Sequence, residues 1–86
     1  MGMENSAIAR ELLRQARELA AHGDNLYRVR AYRRAAAEIS GLDRPVSKII
    51  AEAGSDGLMM IPGVGESLSQ TIAEMAHDLA PAGKIG

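Results

Sequence analysis

The chain has 86 residues, a formal net charge of −1 and no cysteine. This length is that of one domain with one small core, and the lack of cysteine excludes disulfides and thiolate metal sites. No apolar run approaches the roughly 18 residues that cross a bilayer, and no secretory signal pattern opens the chain. We therefore expect a cytoplasmic protein without a membrane partner, folded as a single domain over residues 1–86 with residues 1–5 and 82–86 frayed.

Two amphipathic helices are predicted in the first half of the chain. Apolar residues recur at helical spacing over 6–22, where Asn5 or Ser6 is the expected N-cap. A second helix is expected to follow the capping pair Asp24-Asn25 and to end near Ser40, because a glycine comes next. Alanine fills much of both patterns, which favours close helix packing.

The second half predicts shorter helices. Pro45 favours the first turn of a third helix, with Asp43 as its cap and Gly54 as its stop. A short turn over 55–60 is expected to lead to a final helix that begins at Glu66. No strand pattern competes, so the fold class is all-α, with four to five short helices around one core. Three methionines are expected to fill that core: Met59, Met60 and Met75.

The stretch MMIPGVGES places a glycine on either side of Val64, just before the final helix. Glycine leaves the backbone open to close approach, and the first N–H groups of a helix have no partner within it. These donors lie at the positive end of the helix dipole. Gly63 and Gly65 therefore predict a phosphate site, with Val64 turned inward between the two helices. The alternative is a tight helix–helix turn without a ligand.

Charge is unevenly distributed along the chain. Residues 24–48 carry six basic side chains against three acids, whereas residues 49–86 carry five acids against Lys84 alone. A polyanion would therefore meet the central segment, where guanidinium groups make bidentate phosphate contacts. A solvated helix face is the alternative for these arginines. Tyr32, within the same segment, is either a stacking surface for a sugar or base or the edge of the core.

The pattern IPGVG, followed by Leu68 and Ile72 at helical spacing, resembles the helix-hairpin-helix motif, which binds the nucleic-acid backbone without reading sequence. Upstream, DNLYRVRAYRRAAAEISGL resembles the stretch before the hairpin in the amino-terminal, 8-kDa-type domain of family X DNA polymerases, the polymerase beta group. The similarity covers roughly residues 8–80. It implies a small bundle with a fold like that of the sterile-alpha-motif domain, which grips the 5′-phosphate side of gapped DNA during repair.

The resemblance also implies functional residues. The DNA phosphates would be met by the hairpin and by the basic segment, at Gly63, Val64, Gly65, Arg28, Tyr32, Arg33 and Arg34. A monovalent cation, Na⁺ or K⁺, would be held by the backbone carbonyls of Met59, Ile61 and Val64. No other cofactor is expected.

The final helix departs from that family. Several relatives remove a 5′-deoxyribose phosphate through a lysine six positions after the second hairpin glycine, where this chain has Thr71. A hydroxyl cannot form the Schiff base, so we expect a DNA-binding module without enzymatic activity. Two alternatives stay open: a deoxyribose phosphate lyase that uses another amine, and a protein-interaction domain of the sterile-alpha-motif type.

Overall fold

The computed structural model describes residues 3–79, and every regular element within them is helical. The elements in chain order are α1 (Met3–Ala21), α2 (Leu26–Ser40), α3 (Val46–Ala53), a 3-10 helix (Ser55–Met60) and α4 (Glu66–Asp78). The all-α prediction is thus confirmed. None of the helices within residues 3–79 is both long and apolar enough to cross a bilayer.

One core holds these helices together. α1 and α2 pack along each other. α3, the 3-10 helix and α4 pack together, and α4 also contacts α1. Val64 lies in the hairpin, residues 62–65, between the 3-10 helix and α4. Its side chain is buried, as predicted, and anchors the hairpin to the core. The fully buried side chains of largest volume come from all five elements: Ile8, Leu12, Val29, Ile39, Val46, Leu58, Ser69 and Ile72.

The start of α1 differs from the prediction. The helix begins at Met3 rather than near Ser6, so residues 3–5 are ordered helix and not a frayed end. Asn5 is 4% exposed and does not cap α1. Its side chain instead spans to the chain before α3, where Nδ2 donates to the Arg44 carbonyl at 2.8 Å. The expected fraying at Met1, Gly2 and residues 82–86 falls outside the described residues.

The same turn of α1 caps α3, a role that the sequence prediction gave to Asp43. The N–H of Val46 donates to Asn5 Oδ1 at 2.9 Å. The Glu4 carboxylate accepts from the Ser47 N–H at 3.0 Å and from the Ser47 hydroxyl at 2.8 Å. Pro45 occupies the N-cap position itself and makes no side-chain bond. α3 therefore begins against α1, with its first donors already paired.

The methionine prediction holds for Met75, which is buried, and is wrong for the pair before the hairpin. Met60 is 82% exposed and Met59 is 40% exposed. The physical reason is the helix type: a 3-10 helix has three residues per turn, so residues three apart share a side. Leu58 and Ile61 take the buried side here, and the two methionines between them face outward.

Candidate nucleic-acid interface

Gly63, the first hairpin glycine, is required by the fold itself. Its φ is +86°, a left-handed conformation that side chains rarely adopt. A Cβ at this position would also lie 2.9 Å from Cδ of Arg34. The Arg34 side chain therefore lies directly against the hairpin, which brings the basic helix α2 next to the start of α4.

Gly65, the second hairpin glycine, is not required by the fold. Its φ of −97° and ψ of −170° are extended values that any residue adopts, and it is the N-cap of α4. A Cβ there would meet no atom within 4 Å. Serine, aspartate and asparagine are favoured at an N-cap because their side chains accept the first helical N–H groups. The glycine leaves the surface above the helix start open instead.

The first donors of α4 face this opening. The N–H of Ser69 makes the first helical bond, to the Gly65 carbonyl at 2.9 Å. The N–H groups of Glu66, Ser67 and Leu68 precede it and have no acceptor within residues 3–79. Three unpaired donors at the positive end of a helix dipole form a site for a phosphate. Glu66, in the first turn, brings a negative charge that an incoming phosphate must tolerate.

The predicted arginines fall into two surfaces rather than one. Arg34 lies at the hairpin and pairs with Glu38 at 3.9 Å, whereas Arg28 lies near the amino end of α2 and pairs with Asp24 at 3.8 Å. Such exposed ion pairs are worth about 0–1 kcal/mol, so a phosphate competes readily for either guanidinium. Arg33 is exposed and has no ion-pair partner in the part of the chain that the structure describes.

Tyr32 lies at the edge of the core, which decides between its two interpretations. It is 8% exposed, so its ring offers no open face for a base. The guanidinium carbon of Arg28 lies 6.0 Å from the ring centroid, at the limit of a cation–π contact. The structure therefore joins Tyr32 to Arg28, whereas the side chain nearest to Gly63 is that of Arg34.

A groove of about 740 Å³ runs between α1 and α4 and contains Thr71, the position at which the sequence resemblance noted a missing lysine. Thr71 lines it, with its hydroxyl donating to the Ser67 carbonyl at 3.2 Å. The other lining residues include the edge of Tyr32, arginines from α1 and acids from both helices: Arg10, Glu11, Arg14, Arg17, Glu74 and Asp78. Among its described lining residues there is no lysine.

The central arginine of that groove is already paired. Arg14 bonds to Glu18 at 2.6 Å and to Glu11 at 2.6 Å, both on α1. The bond from Arg14 lowers the pKa of the Glu11 carboxyl, and the Gln15 amide adds to this effect. The same carboxylate raises the pKa of the Arg14 guanidinium. The groove is consequently a mixed-charge surface rather than a basic one.

The sequence analysis did not identify the row of α1 arginines along this groove. The signal was present, because Arg10, Arg14 and Arg17 recur at four and three residues and so share one face of α1. The balance of three acids and three bases over residues 1–23 concealed it. Of the three residues whose carbonyls were predicted to hold a cation, Met59 lies in the 3-10 helix, Ile61 is the C-cap of that helix and Val64 lies between the hairpin glycines. The Ile61 carbonyl accepts the Val64 N–H at 3.0 Å.

The fold and this hairpin define a small helical domain with an open helix start. A family model of the helix-hairpin-helix domain matches residues 3–78. The chain therefore belongs to the helix-hairpin-helix family, whose members generally bind DNA without sequence specificity. No curated protein and no solved structure matches the chain.

Proposed function

We propose that this chain is a sequence-independent DNA-binding module that holds a backbone phosphate at the start of α4. The observation that carries the proposal is Gly65: the fold needs no glycine there, and the missing side chain exposes three unpaired N–H groups. A phosphate oxygen satisfies those donors without touching a base edge, so the binding is independent of sequence. Arg34, against Gly63, adds a formal charge beside them.

The affinity follows from the number of phosphates met. The hairpin and the α2 arginines contact about two to four phosphates, which gives a log–log salt slope of about −2 to −4 and a Kd on the order of 10⁻⁴–10⁻⁶ M. The test is a titration of duplex DNA at several salt concentrations. Binding that is absent at low salt, or that does not change with salt, would refute the proposal.

A pair of charge reversals locates the surface. Arg34→Glu should weaken binding to every DNA sequence and make the salt slope shallower by about one to two. Arg17→Glu changes the net charge equally, but on α1, in the mixed-charge groove that α1 forms with α4. It should have the smaller effect. Equal effects of the two reversals would indicate a response to net charge alone.

The preferred DNA is gapped and 5′-phosphorylated, in a repair or polymerase-associated role. The support is the resemblance of the basic segment and hairpin to the amino-terminal domain of family X polymerases, together with the open helix start that suits a terminal phosphate. Two gapped duplexes that differ only in the 5′-phosphate test this preference. We expect tighter binding of the phosphorylated duplex. Equal binding of the two would refute the preference for a 5′-phosphate, but not the proposal that the chain binds DNA.

A monovalent cation at the hairpin is part of the proposal. The backbone carbonyls of Met59, Ile61 and Val64 would hold Na⁺ or K⁺ and strengthen the local positive field toward the phosphate. Replacing K⁺ by tetramethylammonium at equal ionic strength tests it, because that ion is too bulky to enter a ring of carbonyls. DNA affinity should fall after this replacement. Unchanged affinity would refute a role for a hairpin-bound cation in DNA binding.

The module is proposed to lack lyase activity. The groove that carries Thr71 offers no amine among its described residues, and imine formation needs one. Borohydride reduction in the presence of abasic DNA should give no covalent adduct with the native chain. Thr71→Lys supplies an amine at the matching position and serves as the positive comparison. Robust trapping by the native chain would favour the lyase alternative.

The protein-interaction alternative has one supporting observation. An apolar groove of about 320 Å³ is lined by the exposed Met60 together with Leu42, Ile49, Ile61 and Pro62. The salt titration separates the two functions, since a module that docks only on proteins would show no salt-dependent DNA binding.

A further inference from the structure

The groove between α1 and α4 has sides of opposite charge. Its α1 side, the basic wall, carries Arg10, Arg14 and Arg17. Its α4 side, the acidic wall, carries Glu74 and Asp78, which are four residues apart and so share one side of that helix. Positive and negative groups therefore face the same groove from two different helices.

Most of these charges have no partner. Arg10 and Arg17 are exposed and make no ion pair within residues 3–79. The same is true of Glu74 and Asp78, so no ion pair among the described residues joins the two walls. Only Arg14 is neutralised, by acids of its own helix. Single solvated charges need no partner, but here opposite charges are kept apart across one groove.

This arrangement favours a second copy of the chain over DNA as the occupant. A polyanion is repelled by the acidic wall, which forms one side of the groove. A two-fold rotation about an axis through the groove instead places the basic wall of one copy on the acidic wall of the other. The reverse contact forms at the same time, so the surface is complementary to itself. The net charge of −1 adds little repulsion between copies.

The groove also offers apolar surface. Leu79 is 47% exposed and lines the groove together with Ala7 and Met75. Apolar contact surrounded by charged groups is the usual composition of a protein–protein interface. The exposed charges would fix the register of the two copies more than their affinity.

We propose that the α1/α4 groove is a homodimer contact, in which the basic wall of each copy meets the acidic wall of the other. The described lining residues do not include the hairpin, residues 62–65, so a dimer leaves both hairpins open. A contact confined to one groove is small, so the dimer should be weak, with a Kd between about 10 µM and 1 mM. The inference does not depend on DNA binding.

Sedimentation equilibrium without DNA tests the proposal. The native chain should be monomeric in dilute solution and should approach a dimer as its concentration rises toward about 1 mM. Added salt should weaken the dimer, because it screens the exposed charges of the two walls. A chain that stays monomeric at about 1 mM would overturn the inference and leave the groove to a different partner.

A double reversal of the basic wall should abolish the dimer. Arg10→Glu with Arg17→Glu places negative groups against the acidic wall, and both positions are exposed. Arg30→Glu with Arg33→Glu is the matched control, since these exposed arginines of α2 do not line the groove and the net charge changes equally. At about 0.1 M salt, charges more than about 10 Å apart are largely screened, so the control should keep the dimer. Equal loss in both variants would show a response to net charge alone and overturn the inference.

Mixing complementary variants gives the sharpest test. Glu74→Arg with Asp78→Arg should be monomeric alone but should pair with the variant whose basic wall is reversed, because each negative wall then faces a positive one. The same acid-reversed variant mixed with the α2 control has identical net charges but only one complementary contact, so it should associate less. Equal association of the two mixtures, or none in either, would overturn the homodimer contact. The salt titration of DNA tests the proposed function separately.

Discussion

The starts of α3 and α4 differ in whether their first backbone N–H groups have hydrogen-bond partners. Each helix begins with N–H groups that have no partner within the helix. At α3 those donors are taken by Glu4 and Asn5, which reach across from α1. At α4 the N-cap is Gly65, no side chain caps the helix, and the donors open to the surface beside Arg34. The first arrangement serves the fold, and the second leaves donors for a ligand.

Removing the α3 cap should give the largest effect on stability. Asn5→Leu keeps the branched shape of the side chain but leaves the buried Val46 N–H and the Arg44 carbonyl without partners. An unsatisfied buried group costs about 1–3 kcal/mol, so the urea midpoint of unfolding should fall markedly. Ser6→Ala, at the exposed neighbouring position, is the control and should change little. An unaltered midpoint for Asn5→Leu would show that the cross-helix cap is not stabilising.

Closing the α4 start should move function and stability in opposite directions. Gly65 already has N-cap geometry with open space around it, so Gly65→Asp should cap the helix and stabilise the fold by a few tenths of a kcal/mol. The carboxylate occupies the donors and repels phosphate, so DNA affinity should fall about tenfold, or 1.4 kcal/mol.

Gly65→Ser separates occupancy from charge in that experiment, because it caps the helix without adding a negative group. It should weaken binding less than aspartate does, yet still measurably. If both capped variants bound DNA as the native chain does, phosphate would not sit at the start of α4.

The smallest effect should come from the exposed half of the α3 cap. Glu4→Gln retains oxygen acceptors for Ser47 but loses the charge that favours a helix start. We expect a loss of about 0.3–1 kcal/mol, which shrinks as salt is added. Thermal unfolding at low and high salt measures it, and DNA affinity serves as the control because the proposed phosphate site is at the start of α4 rather than α3. A loss as large as that of Asn5→Leu would contradict the division between buried and exposed contacts.

Local sequence signals predicted most of the fold. The Asn25 cap, the ends of α2 and α3 at Gly41 and Gly54, and the start of α4 at Glu66 all follow from residues next to the element they bound. The α3 cap could not be found this way. Its donors and acceptors are separated by about forty positions, and only tertiary packing brings them together.

The candidate site was predicted in part for the same reason. Glycine spacing identified the hairpin. It could not show that the fold requires a glycine at Gly63, where φ is positive and Arg34 packs closely, but not at Gly65. Periodicity likewise placed Tyr27 and Tyr32 on one helix, but only packing decides which ring is covered. Met60 is exposed because residues 55–60 form a 3-10 helix. The sequence of so short a segment does not reveal which type of helical turn it adopts.

The paired and unpaired helix starts have a consequence for amide hydrogen exchange. First-turn amides normally exchange fast, but the Val46 N–H is bonded to a buried side chain of α1, so it should exchange only when the whole domain opens. The amides of Glu66, Ser67 and Leu68 should exchange rapidly in the free protein and slow down when the oxygens of a bound phosphate accept hydrogen bonds from them. These few backbone positions would thus report global opening at one helix start and ligand occupancy at the other.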